Sequence, residues 1–199
     1  MKTPVQKLLL LLAAWGLLAT ATGALHLLAQ LPPVGAQLLI AGLTLGFSVA
    51  LAQVGWLQAA AAALSVRTIL AVHLVRFVGF YFLWLQGQGR LPVEFAQRAG
   101  WGDIVAAGAA LGLLFWPEGA GFRRALVAWN LFAAADLFVA VGTAGWLNLV
   151  RPGSMVEITE LPLTLIPLWA VPVLLSSHIL LLRNRVGRES AAGPESVRA

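Results

Sequence analysis

The 199-residue sequence contains no cysteine. That excludes disulfide staples and any thiol chemistry within the chain. Charge is also scarce. Asp, Glu, Lys and Arg make up 11% of the residues, against about 25% in an ordinary soluble domain. A disordered chain and a nucleic-acid-binding globule are both excluded by that poverty. The sequence has no P-loop, no Gly-rich dinucleotide motif after a strand and no nucleophile elbow. No His/Cys/Asp/Glu spacing suggests zinc, and no nucleophile-plus-base pair stands out.

What the chain does have is apolar mass. Hydrophobic residues make up 60% of it and the mean hydropathy is +0.86. A bilayer span needs about 20 residues, so the apolar stock matches roughly six spans. Six runs answer to that description: Leu8–Ala29, Ala36–Leu57, Thr68–Gln86, Trp101–Trp116, Ala125–Leu149 and Leu161–Leu182. In lipid every backbone N–H and C=O must be paired within its own segment, so these runs are expected to be helices. The expected fold is an all-α, six-helix transmembrane bundle over residues 1–186. A polar, disordered cytoplasmic tail is expected over 187–199.

The net charge of +5 reports loop arginines rather than a nucleic-acid partner. With the N-terminus in the cytoplasm, that side receives Lys2, Lys7, Arg67, Arg123, Arg124, Arg183, Arg185, Arg188 and Arg198. The opposite side receives Arg90, Arg98 and Arg151. Such a bias predicts both termini cytoplasmic. Trp56, Trp84, Trp101, Trp116, Trp129 and Trp146 fall near the expected helix ends, the depth that indoles favour. An alternative treats Met1–Gly23 as a signal peptide, with Lys2 and Lys7 as the basic region and Ala21-Thr22-Gly23 as the cleavage site. Cleavage would leave five spans.

Between the third and fourth runs, Pro92 is suited to opening a short helix and Gly100 to ending it. Gly42-x-x-x-Gly46 and Gly108-x-x-x-Gly112 place small residues on one helix face. Such faces pack helices closely, either within the bundle or against a second copy or partner membrane subunit. Pro167 and Pro172 are expected to kink or widen the sixth helix.

Polar residues inside the runs stand out against this background. Arg76 lies mid-span, where a charge is costly, and needs a partner. Asp136 is the depth-matched carboxylate, and an Arg76–Asp136 ion pair is expected. Asp103 stands at the outer start of the fourth run. There a first-turn carboxylate caps orphan N–H groups, or belongs to a site at the membrane edge. Asn130 is placed to hydrogen-bond across helices. His73 and His178 share a depth on different helices. That arrangement suits axial ligation of a b-type haem, interhelical hydrogen bonding or a proton relay. His73 and Arg76, three residues apart, share a face. His26 falls near the outer end of the first run and reads as an interfacial histidine.

Several stretches taken together resemble one group. They are Arg76-x-x-Gly79-x-x-Phe82, Leu91-Pro92-x-x-Phe95-Ala96-x-x-Ala99-Gly100-x-Gly102-Asp103, Trp129-Asn130 with Asp136-Leu137, and Ile166-Pro167 with Val171-Pro172 and His178. The set resembles small, uncharacterised bacterial membrane proteins of six helices. The resemblance covers about the last two thirds of the chain. It implies a multi-pass protein of a bacterial cytoplasmic membrane, and it implies no activity. The eleven arginines against two lysines, with the Ala, Leu and Gly load, suit a GC-rich bacterial genome. Three functions remain open: a small-solute or proton-linked transport protein using Arg76 and Asp136, a haem-binding electron-transfer subunit using His73 and His178, and an accessory membrane protein.

Overall fold

The structure, a computed structural model, describes residues 2–32 and 34–191, with side chains described through Arg183. All regular structure among these residues is helical. Nine α-helices follow in order: α1 (Pro4–Ala24), α2 (Gly35–Gln53), α3 (Gly55–Ala63), α4 (Val66–Val72), α5 (Gly79–Gly87), α6 (Val93–Phe115), α7 (Ala120–Val150), α8 (Val156–Thr159) and α9 (Val171–Ala191). A 3₁₀ segment, His73–Val78, joins α4 to α5, and a π-helical turn, Ile166–Ala170, leads into α9.

Five stretches among the described residues are long and apolar enough to cross a membrane. They are Pro4–Ala24, Gly35–Gln53, Val66–Gly87, Ala120–Val150 and Ile166–Arg183. α6 is as long as these at 23 residues, but Glu94, Arg98 and Asp103 lower its apolar character.

Local chemistry accounts for many of the boundaries. Thr3 caps α1 by accepting from the Gln6 N–H, while Gln6 Oε1 accepts from the Thr3 N–H and Pro4 supplies the first helical position. Ser65 caps α4 through the Thr68 N–H, at 3.0 Å. Pro92 caps α6, and the helix then runs through Gly100 without a break. The short helix expected between Pro92 and Gly100 and the run expected from Trp101 are therefore one helix. Its buried stripe explains why: Phe95, Ala96, Ala99, Gly100, Asp103, Ala106, Ala107, Ala110 and Leu113 keep helical spacing throughout. At the C-terminus, α9 remains helical through Ala191, past Gly187 where a disordered tail is expected; the rest of that tail, 192–199, lies outside the described residues.

The long helices alternate between two ends. Residues 25–32, 87–94 and 151–165 gather at one, the loop end, through His26–Glu160 (2.9 Å), Arg90–Glu157 (2.8 Å) and Arg151–Glu94 (2.7 Å). At the other, the terminal end, Arg67 donates to the carbonyl oxygens of Leu114 and Trp116. One apolar cluster fills the terminal half, around Leu70, Ala106, Ala110, Trp129 and Ala133. A second fills the loop half, around Phe82, Leu85, Phe95, Leu147 and Leu163. α6 contributes to both and is the central helix.

Outward faces are apolar rather than polar, with Leu17, Leu18, Phe115 and Phe138 all exposed. Those faces match hydrocarbon, as expected of a chain compatible with a membrane.

Glycine roles differ from expectation. A Cβ at Gly42, Gly46, Gly108 or Gly112 would meet open space. These four therefore do not pack helices within the chain, because their faces point away from it. The close crossing occurs instead where α5 meets α6. A Cβ at Gly79 would strike the Gly100 carbonyl oxygen, and one at Gly100 would crowd Leu83 and the Gly79 carbonyl. Each glycine admits the other's backbone.

Candidate functional site

The α5–α6 crossing positions the charged site. Arg76 sits in the 3₁₀ segment with its side chain 1% exposed. Its Nε donates to Asp103 Oδ1 on α6 at 2.7 Å. Its Nη1 donates to the Ala133 carbonyl on α7 at 2.9 Å, and its Nη2 to Asp136 Oδ2, also on α7. Three of its nitrogens thus find three acceptors on two helices. The expected partner Asp136 is present, joined by one the sequence reading placed elsewhere.

Asp103 corrects that reading. It lies ten residues inside α6, buried and bonded to Arg76, and does not cap a helix. The reason is the continuity of α6 through Gly100, which carries Asp103 from a first turn to mid-helix. Asp136 in turn rests on Gly102, where a Cβ would run into the carboxylate. Gly79, Gly100 and Gly102 together let three helix segments close around one guanidinium.

The charge does not balance. One guanidinium serves two carboxylates, so the group carries one formal negative charge in excess when both are ionised. Burying an uncompensated charge is costly, and a proton or a second cation offsets that cost.

The other polar residues form a separate cluster. His73 Nε2 lies 2.9 Å from Ser177 Oγ on α9, and Ser177 Oγ donates to the Leu174 carbonyl at 2.7 Å. A hydroxyl has one hydrogen, so here Ser177 accepts and His73 Nε2 donates. His178 Nδ1 lies 2.7 Å from Asn130 Oδ1, a pure acceptor, so His178 donates from Nδ1. Asn130 Nδ2 returns a bond to the His178 carbonyl at 3.3 Å. Both tautomers are thereby fixed. The remaining lone pairs, His73 Nδ1 and His178 Nε2, are buried without a hydrogen-bond partner.

The two rings touch, with centroids 4.5 Å apart and planes tilted by 49°. Trp129 meets His73 edge-on at 4.9 Å and anchors its indole N–H on the Ala106 carbonyl. Haem does not fit this pair. Axial ligation places the macrocycle between two imidazoles, and rings already in contact leave no slot for it. Ser177 also occupies His73 Nε2. Trp129 corrects a second expectation: it is buried beside the histidines rather than placed at a helix end. His26 is exposed and pairs with Glu160.

A crevice of about 80 Å³ opens in the loop half, between α2, α5, α6, α7, α8 and the π-helical turn. Ile40, Phe82, Phe95, Leu137 and Pro167 form much of its wall, and Asp103 lines it as well. The widened turn expected from the prolines is the part of the sixth run that faces this space, as irregular backbone at membrane depth does when it lines a cavity. The crevice residues carry no sequence motif. Their one advance signal is the uninterrupted stripe on α6, which runs from Phe95 to Asp103.

Residues 33–185 match the family described as Domain of unknown function (DUF8737). The chain belongs to that family. The DUF8737 match begins just before α2 and ends within α9, so it takes in Arg76, Asp103, Asp136, both site histidines and the crevice lining apart from Leu28. Comparison with curated proteins and with solved structures finds no match.

Proposed function

We propose that this DUF8737 protein handles a small solute in a bacterial cytoplasmic membrane, with a proton as the coupled ion at Arg76, Asp103 and Asp136. The observation that carries the reading is the single guanidinium serving two carboxylates beside a crevice. A proton settles the surplus charge when the crevice is empty, and solute binding changes its hold. Intramembrane charges facing a cavity are the usual parts of such devices.

The topology in this reading has six spans and cytoplasmic termini. α6 joins the five as the fourth span in chain order, about 34 Å long at 1.5 Å per residue and long enough for the hydrocarbon core. The arginine and lysine bias supports the orientation, with the crevice on the outer side. The absence of cysteine makes this easy to check. Gln88→Cys is expected to react with an impermeant maleimide from outside, and Glu118→Cys only after permeabilisation.

Proton flux into liposomes holding a pH-sensitive dye tests the function. A panel of small amphipathic solutes of either charge is added in turn. One or more are expected to drive flux that Asp103→Asn abolishes. Identical traces for wild type, Asp103→Asn and protein-free liposomes with every solute would end the reading.

A second reading, an accessory membrane subunit, rests on Gly42, Gly46, Gly108 and Gly112, whose faces meet nothing in this chain. Small faces of that kind accept another helix, from a second copy or a partner subunit. A monomer in native-membrane crosslinking would remove it.

A further inference from the structure

We propose that the crevice takes a lipophilic cation, a compact apolar body bearing an ammonium group whose positive charge settles against Asp103. This deepens the solute-handling reading and rests on it.

The crevice has a volume of about 80 Å³, against the roughly 10–15 Å³ that one water needs, so it has room for a compact body and not for an extended one. Its walls are almost wholly apolar, so the body of the ligand must be apolar too. The few polar groups decide the sign of the rest. Asp103 is an acceptor, with Arg76 engaging its Oδ1 alone. Gln37 lines the crevice, and its Oε1 is buried without a partner. Thr159 lines it as well and spends its hydroxyl hydrogen on the Val156 carbonyl at 2.7 Å, so it faces a ligand as an acceptor. Asn148 and Gln37 are amides, and each carries a donor as well as an acceptor. The amides can meet either kind of ligand group, while Asp103 and Thr159 face a ligand as acceptors, and Asp103 is the charged one.

Charge points the same way. Among the described residues, no lysine, arginine or histidine lines the space. The guanidinium behind Asp103 is committed to three acceptors. At the loop end Arg90 and Arg151 are committed to Glu157 and Glu94. An anion would meet a carboxylate and, among the described lining residues, no cation, since the exposed Arg98 of the loop end does not line the space. An ammonium would offset the one negative charge that Arg76 leaves over. Phe82 and Phe95, edge-to-face with centroids 5.4 Å apart, add aromatic surface of the kind that cations favour.

The test uses three adamantane derivatives of one shape: the ammonium, the alcohol and the carboxylate. Each is titrated against the full-length protein in phosphatidylcholine nanodiscs, with empty discs as the reference. Thermal shift and calorimetry read the result. The ammonium is expected to raise Tm by several degrees, the alcohol by clearly less, and the carboxylate not at all. In Asp103→Asn the ammonium is expected to lose at least about tenfold in affinity and fall to the level of the alcohol. That variant keeps an acceptor oxygen for Arg76 Nε and leaves Asp136 in place, so it retains the means to fold. Ala144→Phe, which fills the crevice without touching a charge, is expected to abolish the response to the ammonium and the alcohol.

An alcohol or carboxylate that binds as well as the ammonium, and is blocked by Ala144→Phe, would overturn the cation assignment and leave the crevice as a solute site. Ammonium binding that persists in Asp103→Asn would overturn the assignment equally. No response to any probe, or a response indifferent to Ala144→Phe, would remove the cation assignment and the crevice's role together.

Discussion

Arg76 and Arg90 use the same two nitrogens, Nε and Nη2, to reach carboxylate oxygens. Arg90 closes both on one carboxylate, Glu157, at 3.0 and 2.8 Å. Arg76 splits them between Asp103 and Asp136 and adds a backbone carbonyl. The side chain of Arg90 is 50% exposed and that of Arg76 is 1%. Outside, one positive charge meets one negative in solvent, and water screens what the fork gains. Inside, one positive charge meets two, and nothing screens the remainder. Similar bonds thus pin a loop in one place and hold an unsettled charge in the other.

The largest expected effect comes from removing the buried guanidinium. Arg76→Met leaves a buried and a half-buried carboxylate without their cation and is expected to cost about 3–5 kcal/mol. Fluorescence-detected size exclusion in detergent should show little folded protein. Restoring neutrality with Asp103→Asn and Asp136→Asn in the same chain should recover much of the folded peak. If Arg76→Met alone folds as well as wild type, the two arginines do not differ as described.

Removing a single carboxylate should cost less, because Arg76 keeps the other. Asp136→Ala is expected to lower stability by about 1–3 kcal/mol, the range for one unmet buried donor. Thermal unfolding of Asp136→Ala beside Arg76→Met tests the order. Equal losses would mean that Asp103 does not stand in for Asp136.

The frame around the buried site gives the next effect. Gly79→Ala drives a methyl group into the Gly100 carbonyl and Asp103 Cβ, and about 1–3 kcal/mol of overpacking is expected. Gly108→Ala points into open space and should be neutral or stabilising by about 0.5–1 kcal/mol, as a helical glycine-to-alanine change usually is. A pair of melting curves separates the two.

The smallest effects belong to the exposed pairs. Glu157→Gln should leave Tm within about two degrees of wild type at neutral pH. Glu157 holds the Arg90 guanidinium above its ordinary range, so Arg90 stays charged at every usable pH. Glu94 behaves differently. Its bond to Arg151, helped by its own backbone N–H, holds its carboxyl below the ordinary 4.5. A depressed folded-state value stabilises above the ordinary one, and that contribution fades as pH falls through the folded value. Any Tm difference between wild type and Glu94→Gln at neutral pH should shrink steadily as the pH is lowered through and below the ordinary carboxylate range. A difference that grows on acidification would contradict the pairing.

The sequence alone points to Arg76 and Asp136, because a charge in mid-run must find an opposite charge at its own depth. Asp103 is hidden by a rule of thumb. Gly100 after a proline-opened turn reads as a stop, and that reading cuts the α6 stripe just before the residue that matters. Glycine spacing misleads for a related reason: Gly42-x-x-x-Gly46 shows that a close approach is possible and not that it happens, while Gly79 and Gly100 make theirs without such a motif. The histidine tautomers lie beyond any sequence reading, since Ser177 and Asn130 fix them from other helices.

The segment His73–Val78 carries one more implication. It is six residues of 3₁₀ helix set between two α-helical stretches. A 3₁₀ helix climbs about 2.0 Å per residue with three residues per turn, and an α-helix about 1.5 Å with 3.6. Over these residues the two windings differ by about 3 Å in length and about 120° in rotation. The stretch is a screw thread of two pitches with Arg76 mounted on it. A change of pitch there would turn the guanidinium away from its carboxylates and draw α5 along its axis in one stroke.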